Sequence, residues 1–193
     1  MKKAVIRSAV IIGIAVLSVI FGIVFQNLTD KAERKNYPLE YKKFVEKYSA
    51  EYGVPENVIF AVIKCQSDFD SSLLSDEGEI GLMMVSPYTL EEYKEELHDS
   101  YDTGMLYDPE TNIKYGTYKL SKIYLKVGTW RAVYAAMSAG EDTVLGWLED
   151  DRYSEKSELA KTKLTVIPDK EAELFTKRLE ETAEKYKTLY YED

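Results

Sequence analysis

The chain is poor in the residues that build disulfides and metal centres, since its 193 residues include one cysteine and one histidine. A single cysteine cannot form an internal disulfide. Cys65 and His98 have no further cysteine or histidine at metal-ligand spacing. The sequence also has no glycine-rich phosphate-binding loop. These absences argue against a disulfide-stabilised fold, a metal site and a nucleotide site, and we expect no cofactor.

Positive charge is scarce as well. Lysine and arginine number 25 against 34 aspartates and glutamates, which leaves a net charge of −9. An acidic chain repels the phosphates of nucleic acids, so we expect no nucleic acid partner. Most carboxylates lie among lysines in helix-like stretches and are expected on the solvated surface.

One long apolar run lies near the N-terminus. Residues 9–25 read "AVIIGIAVLSVIFGIVF" and contain no charge. With the preceding residues 4–8, of which only Arg7 is charged, the run approaches the length of about 20 residues that crosses a bilayer. The pattern predicts a transmembrane signal anchor over residues 9–26, between a basic leader at 1–8 and a polar stalk at 27–36.

A cleaved signal peptide is the alternative interpretation of this segment. The sequence "FQNLTDK" after the run offers no small-x-small cleavage site, which favours a retained anchor. The basic leader favours a cytoplasmic N-terminus. We therefore expect a single-pass protein of the cell membrane with an extracytoplasmic C-terminal domain.

The remaining residues, 37–193, have the pattern of an all-α domain. Apolar residues recur at helical spacing before Gly53, and Asp108-Pro109-Glu110 has the residues of a helix start. A last amphipathic helix is predicted from about Asp169. We find no strand pattern longer than a few residues.

Five stretches of this body occur in a recognisable order. They are "YPLEYKKFVEKYSAEYGVPENVIFAVIKCQSDFDSS", "GEIGLMMVSPYTLEE", "LYDPETNIKYGTYKLSKIYLKVGTW", "AAMSAGEDTVLGWL" and "IPDKEAELFTKRL". Their order and spacing resemble the soluble lytic transglycosylase (SLT) family, the lysozyme-like enzymes that cut bacterial peptidoglycan. The resemblance covers about residues 37–191 and implies a lysozyme-like all-α domain that acts on glycan strands.

The resemblance assigns the family's essential glutamate to position 66, where this chain has Gln66. In the family this group protonates the glycosidic oxygen and then serves as the base. An amide cannot act as a carboxylic acid near neutral pH, so the implied proton donor is missing. Ser67, the next residue of the family pattern, is retained.

Other implied site positions depart from the family as well. The family's Gln is Met84, its Tyr-Asn pair is Met137-Ser138, and its late Tyr is Phe175. Residues that shape the backbone and the core match instead: Gly81, Leu82, Met83, Asp108, Pro109, Gly116, Ala139 and Gly140. Retained scaffold positions beside altered reactive positions favour a natural pseudoenzyme.

Two carboxylates could replace the missing acid, since Asp70 lies one turn beyond Gln66 and Glu79 lies in the adjoining loop. Either would need a raised pKa in an apolar cleft. The alternatives are that Asp70 caps a turn and that Glu79 is solvated. Cys65 is interpreted as a small packed side chain, with a reactive thiol as the alternative.

These observations predict a membrane-anchored, SLT-like protein at the bacterial cell wall, with impaired or absent lytic activity. It would bind peptidoglycan strands or act as a scaffold in a cell-wall or secretion assembly. One alternative is an active lytic transglycosylase that uses Asp70 or Glu79. Another is a protein-interaction module that no longer binds glycan, which the apolar residues Met84, Met137 and Phe175 favour.

Overall fold

The computed structural model describes residues 2–156 and 162–192. Up to residue 30, side chains are described only for 13, 16–25 and 29. The chain divides into two compact units, Met1–Pro38 and Leu39–Asp193.

The first unit is a single helix, α1, over Lys2–Asn36. It continues without a break through the residues predicted as a stalk. Among the described side chains, no helix is both long and apolar enough to cross a membrane. The predicted anchor lies partly outside those side chains, at residues 9–12, 14–15 and 26.

The second unit is mostly helical, as predicted. Its helices are α2 (Lys42–Tyr52), α3 (Glu56–Gln66), α4 (Pro87–Tyr93), a 3-10 turn (Thr103–Tyr107), α5 (Pro109–Val127), α6 (Trp130–Ala139), α7 (Glu141–Glu149) and α8 (Lys170–Tyr190). Two short strands, β1 (Ser154–Glu155) and β2 (Lys163–Leu164), pair antiparallel. Each strand has two residues, and both lie in the charged stretch at 149–168.

Local signals set the helix ends where the sequence predicts them. The Asp108 carboxylate accepts a hydrogen bond from the Thr111 N–H at 2.9 Å, which caps α5. The Asp169 carboxylate caps α8 in the same way through the Ala172 N–H at 2.7 Å. Gly53 ends α2 with a φ of 70°, a conformation that glycine adopts at little cost.

Helix α3 runs through the core of this unit. Its residues from Val58 to Ile63 are all buried, as the apolar run predicts. It packs against α8, where the rings of Phe60 and Tyr186 stack with their centroids 5.3 Å apart. Because α3 is buried along this stretch, its C-terminal end at Gln66 has a fixed position in the domain.

A loop at residues 73–85 is held against α5 by the buried side chain of Asn112. The Asn112 amide donates hydrogen bonds to the Ile80 and Leu106 carbonyls, both at 2.7 Å. Its oxygen accepts a hydrogen bond from the Met83 N–H at 2.8 Å. One side chain therefore satisfies three buried backbone groups and fixes the loop beside α5.

Glycine allows the loop to approach α5 closely. A Cβ atom on Gly116 would lie 2.6 Å from the Met83 sulfur, so the Met83 side chain fits only over a bare backbone. Gly81 has a φ of 74°, and a Cβ there would lie 2.6 Å from the side-chain nitrogen of Asn112 on α5. Both contacts explain why glycine is needed where the loop meets this helix.

We expect the substitution Asn112→Ala to lower the free energy of unfolding by about 3 kcal/mol, because it leaves three buried backbone groups without partners. Urea unfolding of the full chain in detergent, followed by near-UV circular dichroism, measures the change. The control is Asn57→Ala, which removes one part-buried hydrogen bond, to the Ala183 carbonyl, and should cost about 1 kcal/mol. Equal losses in the two variants would contradict the central role of Asn112.

Candidate functional site

A small cleft, with a volume of about 30 Å³, opens where α3 ends, between the 73–85 loop, α5 and α6. Its walls are largely apolar and include Val62, Met83, Met84, Leu120, Ile123 and Met137. Three polar side chains also line it: Gln66, Glu79 and Lys119. An apolar cleft with a few convergent polar groups has the composition of a ligand-binding site.

Gln66 is the last residue of α3 and is partly exposed at the edge of this cleft. The chain then turns sharply, because Asp68 and Phe69 have φ values of 50° and 69°. Met84, which lines the same cleft, has a φ of 49°. Non-glycine residues in this left-handed region are costly and concentrate at functional sites. The rim of the cleft therefore has a specifically constrained backbone.

Ser67 lies beneath the cleft and does not line it. Its side chain is buried, and its single O–H has two acceptors within reach, the Leu82 carbonyl at 2.8 Å and the Ile63 carbonyl at 3.2 Å. Ser67 thus connects the end of α3 to the 73–85 loop. In this position the hydroxyl holds the backbone of the site.

Glu79 is held in the cleft by its backbone. Its N–H donates to the Ser75 hydroxyl at 3.1 Å, and its carbonyl accepts from the Ser75 N–H at 2.9 Å. Burial of the half-buried Glu79 carboxyl raises its pKa, and the nearby positive charge of Lys119 offsets part of this rise. The structure thus brings a carboxyl group with a raised pKa into the same cleft as Gln66.

Asp70 has a different environment. It is exposed, and its carboxylate accepts hydrogen bonds from the Ser72 N–H at 2.8 Å and the Ser72 hydroxyl at 2.6 Å. These hydrogen bonds lower the pKa of Asp70. The geometry is that of a turn cap, so Asp70 is poorly suited to donate a proton.

The other predicted site residues separate into two groups. Met84 and Met137 line the cleft with Gln66. Ser138 is exposed and lines a different depression, beside Trp147. Phe175 lies on α8 and does not line the cleft either.

Phe175 is connected to the end of α3 through Arg178. The Arg178 guanidinium lies over the Phe175 ring, with its central carbon 5.5 Å from the ring centroid. The same guanidinium donates a hydrogen bond to the Cys65 carbonyl at 3.2 Å. Helix α8 therefore supports the backbone next to Gln66.

Cys65 is a packed side chain. Its thiol lies 3.4 Å from the Thr182 hydroxyl on α8, and burial raises its pKa. A raised pKa disfavours the thiolate, which is the nucleophilic form. This environment favours the interpretation of Cys65 as a small core residue.

Lys119 is the cleft residue that sequence reasoning missed. It lies in the middle of α5 among other lysines, and its sequence context resembles an ordinary solvated helix face. The available signal was its spacing, since Gly116, Leu120 and Ile123 lie three or four residues apart on the same helical face. In the described parts of the chain, no group of three histidines, cysteines or carboxylates could hold a metal ion.

Comparison with known proteins identifies the family. The profile of the family described as Transglycosylase SLT domain matches residues 43–160, more than half of the chain. The chain therefore belongs to the transglycosylase SLT domain family, and the resemblance noted in the sequence is confirmed.

Two enzymes illustrate the relationship at the level of sequence. The soluble lytic murein transglycosylase of Escherichia coli (strain K12) is 31% identical over 126 residues, which cover 63% of this chain and 19% of that protein. Membrane-bound lytic murein transglycosylase C of Serratia proteamaculans (strain 568) is 28% identical over 147 residues, or 70% of this chain and 40% of that protein.

Solved structures confirm the lysozyme-like SLT fold. An inactive glutamate-to-glutamine mutant of the lytic transglycosylase Slt from Pseudomonas aeruginosa superposes with a TM-score of 0.70 at 25% identity, over 81% of this chain and 25% of that chain. The soluble lytic transglycosylase SLT70 from Escherichia coli gives 0.71 at 24% identity, over 83% and 26%. This chain matches less than half the length of each of these four relatives.

The environment of Glu79 predicts a pH-dependent stability. Its pKa is higher in the folded chain than in the unfolded chain, so folding favours the protonated form. The stabilisation is therefore fully present below the unfolded pKa and is lost as pH rises through the folded pKa. We expect Glu79→Gln to raise the Tm at pH 7, and the gain to disappear below a pH of about 4.

Thermal unfolding of the wild type and the variant across this pH range tests the prediction. Glu77→Gln is the matched control, because Glu77 is an exposed carboxylate in the same loop. It should change the Tm much less at neutral pH. A lower Tm for the Glu79→Gln variant than for the wild type at pH 7 would contradict this prediction. It would mean that the folded chain stabilises the ionised form of Glu79.

Proposed function

We propose that this chain is a cell-wall SLT domain that binds glycan strands of bacterial peptidoglycan and has impaired or lost lytic activity. The observation that carries the proposal is Gln66, which occupies the position assigned to the proton donor in a cleft whose supporting contacts are present. Asn112, Ser67 and Gly116 make those contacts. The domain thus combines a formed cleft with an amide where the chemistry needs an acid.

The chemistry of the cleft supports reduced activity. Cleavage of a glycosidic bond needs a proton on the leaving oxygen, and a primary amide does not supply one near neutral pH. Met84 and Met137 offer thioethers where the family pattern has hydrogen-bonding side chains. The Pseudomonas aeruginosa relative in the comparison is an inactive mutant with the same kind of glutamate-to-glutamine exchange.

We further propose that residues 9–26 anchor the domain to the cell membrane, with the body outside the cytoplasm. Residues 9–25 carry no charge. In α1 the described side chains of Leu17, Phe21 and Phe25 are exposed, as expected for a surface that contacts lipid. One relative is named a membrane-bound transglycosylase. Partners in a cell-wall or secretion assembly fit such a location.

A second candidate function is favoured by one observation. Glu79 lies in the same cleft as Gln66, is half-buried and has a raised pKa. A carboxyl group in such an environment can serve as a general acid. An active lytic transglycosylase with Glu79 as its displaced acid is therefore the alternative to a binding protein.

An assay of anhydro-muropeptide release separates the two candidates. The full chain, in detergent, is incubated with purified peptidoglycan. We expect its rate to be at least about 100-fold below that of a glutamate-bearing relative, because general acid catalysis contributes about that much. Gln66→Glu should remain well below the relative, since Met84 and Met137 still lack hydrogen-bonding groups.

A wild-type rate equal to that of the relative would contradict impaired activity. Loss of such activity in Glu79→Gln would then establish the second candidate. Co-sedimentation of the full chain with insoluble peptidoglycan tests binding separately. Retention no greater than that of an unrelated acidic protein would contradict glycan binding and favour a protein-interaction module.

A further inference from the structure

The cleft contains one cationic side chain among its described lining residues, Lys119. We propose that Lys119 makes the cleft selective for muramyl residues with a free lactyl carboxylate, as in glycan strands from which the stem peptides have been removed. This inference rests on the proposed function, because it assigns a ligand class to the same glycan-binding cleft.

The position of Lys119 on α5 distinguishes it from its neighbours. It shares the cleft-facing side of the helix with Gly116 and Leu120. Lys122, three residues later, lies on another side and pairs with Glu96 at 3.0 Å. By contrast, no carboxylate of the described residues lies within 4.0 Å of the Lys119 ammonium. An ammonium that lacks an ion pair in an apolar cleft is suited to bind an anionic ligand.

Glu79 is the charge that competes with a ligand for Lys119. The two residues interact electrostatically, but the attraction offsets only part of the rise in the Glu79 pKa. Glu77 adds a further negative charge near Glu79 and raises its pKa as well. Burial thus disfavours the Glu79 carboxylate, which weakens it as an intramolecular partner for Lys119. A ligand carboxylate that approaches from solvent can therefore take this place.

The overall charge makes this cation more significant. The chain carries a net charge of −9, so an anionic polymer meets a generally repulsive surface. A single ammonium between the apolar walls formed by Ile123, Met83 and Met137 offers a local attraction, and these walls reduce screening by water. The affinity for a ligand would then depend on whether the ligand has an anionic group that reaches the Lys119 ammonium.

The sugar backbone of peptidoglycan carries such an anion in one form only. The glucosamine units have no acid group. The muramyl units carry a lactyl ether whose carboxyl carbon is joined to the stem peptide through a neutral amide. Hydrolysis adds water across that C–N bond, which leaves a carboxylate on the sugar and an amine on the released peptide. Lys119 can donate a charge-assisted hydrogen bond to a carboxylate on the muramyl sugar itself only after this step.

The inference therefore also assigns an order of reactions. An amide hydrolysis that removes stem peptides would create the preferred ligand of this cleft. The domain would recognise strands after that reaction and would bind peptide-bearing strands less tightly.

Isothermal titration calorimetry with the full chain in detergent tests the proposal. Three tetrasaccharides are compared: one of alternating N-acetylglucosamine and N-acetylmuramic acid with free lactyl carboxylates, the same compound with methylamides on those carboxyls, and chitotetraose. We expect the free acid to bind about tenfold more tightly than the methylamide. Chitotetraose should resemble the methylamide, since neither has a negative charge.

Substitutions test whether Lys119 causes the preference for the free acid over the methylamide. Lys119→Met should abolish the preference for the free acid over the methylamide, whereas Lys119→Arg should retain it. Lys122→Met is the matched control, because it removes the same charge from the same helix outside the cleft, and it should keep the preference. Glu79→Gln should increase the preference, because it removes the competing carboxylate.

The outcomes separate this inference from the proposed function. Equal binding of the free acid and the methylamide by the wild type would overturn the role of Lys119 while glycan binding stands. The role of Lys119 would also be overturned if Lys119→Met still prefers the free acid, or if Glu79→Gln no longer does. Failure of all three tetrasaccharides to bind would overturn both the inference and the glycan-binding proposal.

Discussion

The Asn112 amide is the interaction on which the geometry of the cleft depends. A buried primary amide must find partners for its N–H groups and its oxygen, and here backbone groups of two separate segments supply them. The consequence is that the 73–85 loop cannot shift along α5 without leaving buried polar groups unpaired. Glu79 and Met84 belong to this loop, so their positions opposite Gln66 follow from one side chain that never contacts solvent.

The domain separates residues that support the cleft from residues that line it. Supporting residues such as Ser67 and Asn112 are hydrogen-bonded to backbone groups, where a change of type would cost stability. Lining residues such as Gln66 and Met84 have more freedom, since their side chains face the cleft. A fold can therefore keep its shape while its chemistry changes. This separation explains how family membership can be clear from the sequence whichever residues line the cleft.

The sequence predicts the structure correctly where a feature depends on residues that are close together in the chain. The caps at Asp108 and Asp169 depend on residues three positions away, so a short pattern reveals them. It could not distinguish Asp70 from Glu79, because both are carboxylates in a polar stretch. The difference arises from the path of the loop, which turns Glu79 into the cleft and leaves Asp70 on the surface. Lys119 was missed for a related reason: its environment comes from α3, α6 and the loop, none of which adjoins it in sequence.

The contact between Arg178 and the Cys65 carbonyl has a consequence for biosynthesis. The last carbonyl groups of a helix have no partner within that helix, and the partner here is supplied 113 residues later. During synthesis, α3 can form long before α8 exists, yet the orientation of its final turn is not secured until α8 packs against it. The cleft is thus a late product of folding. A chain interrupted before α8 would contain every cleft-lining residue described here but would lack the Arg178 partner of the Cys65 carbonyl.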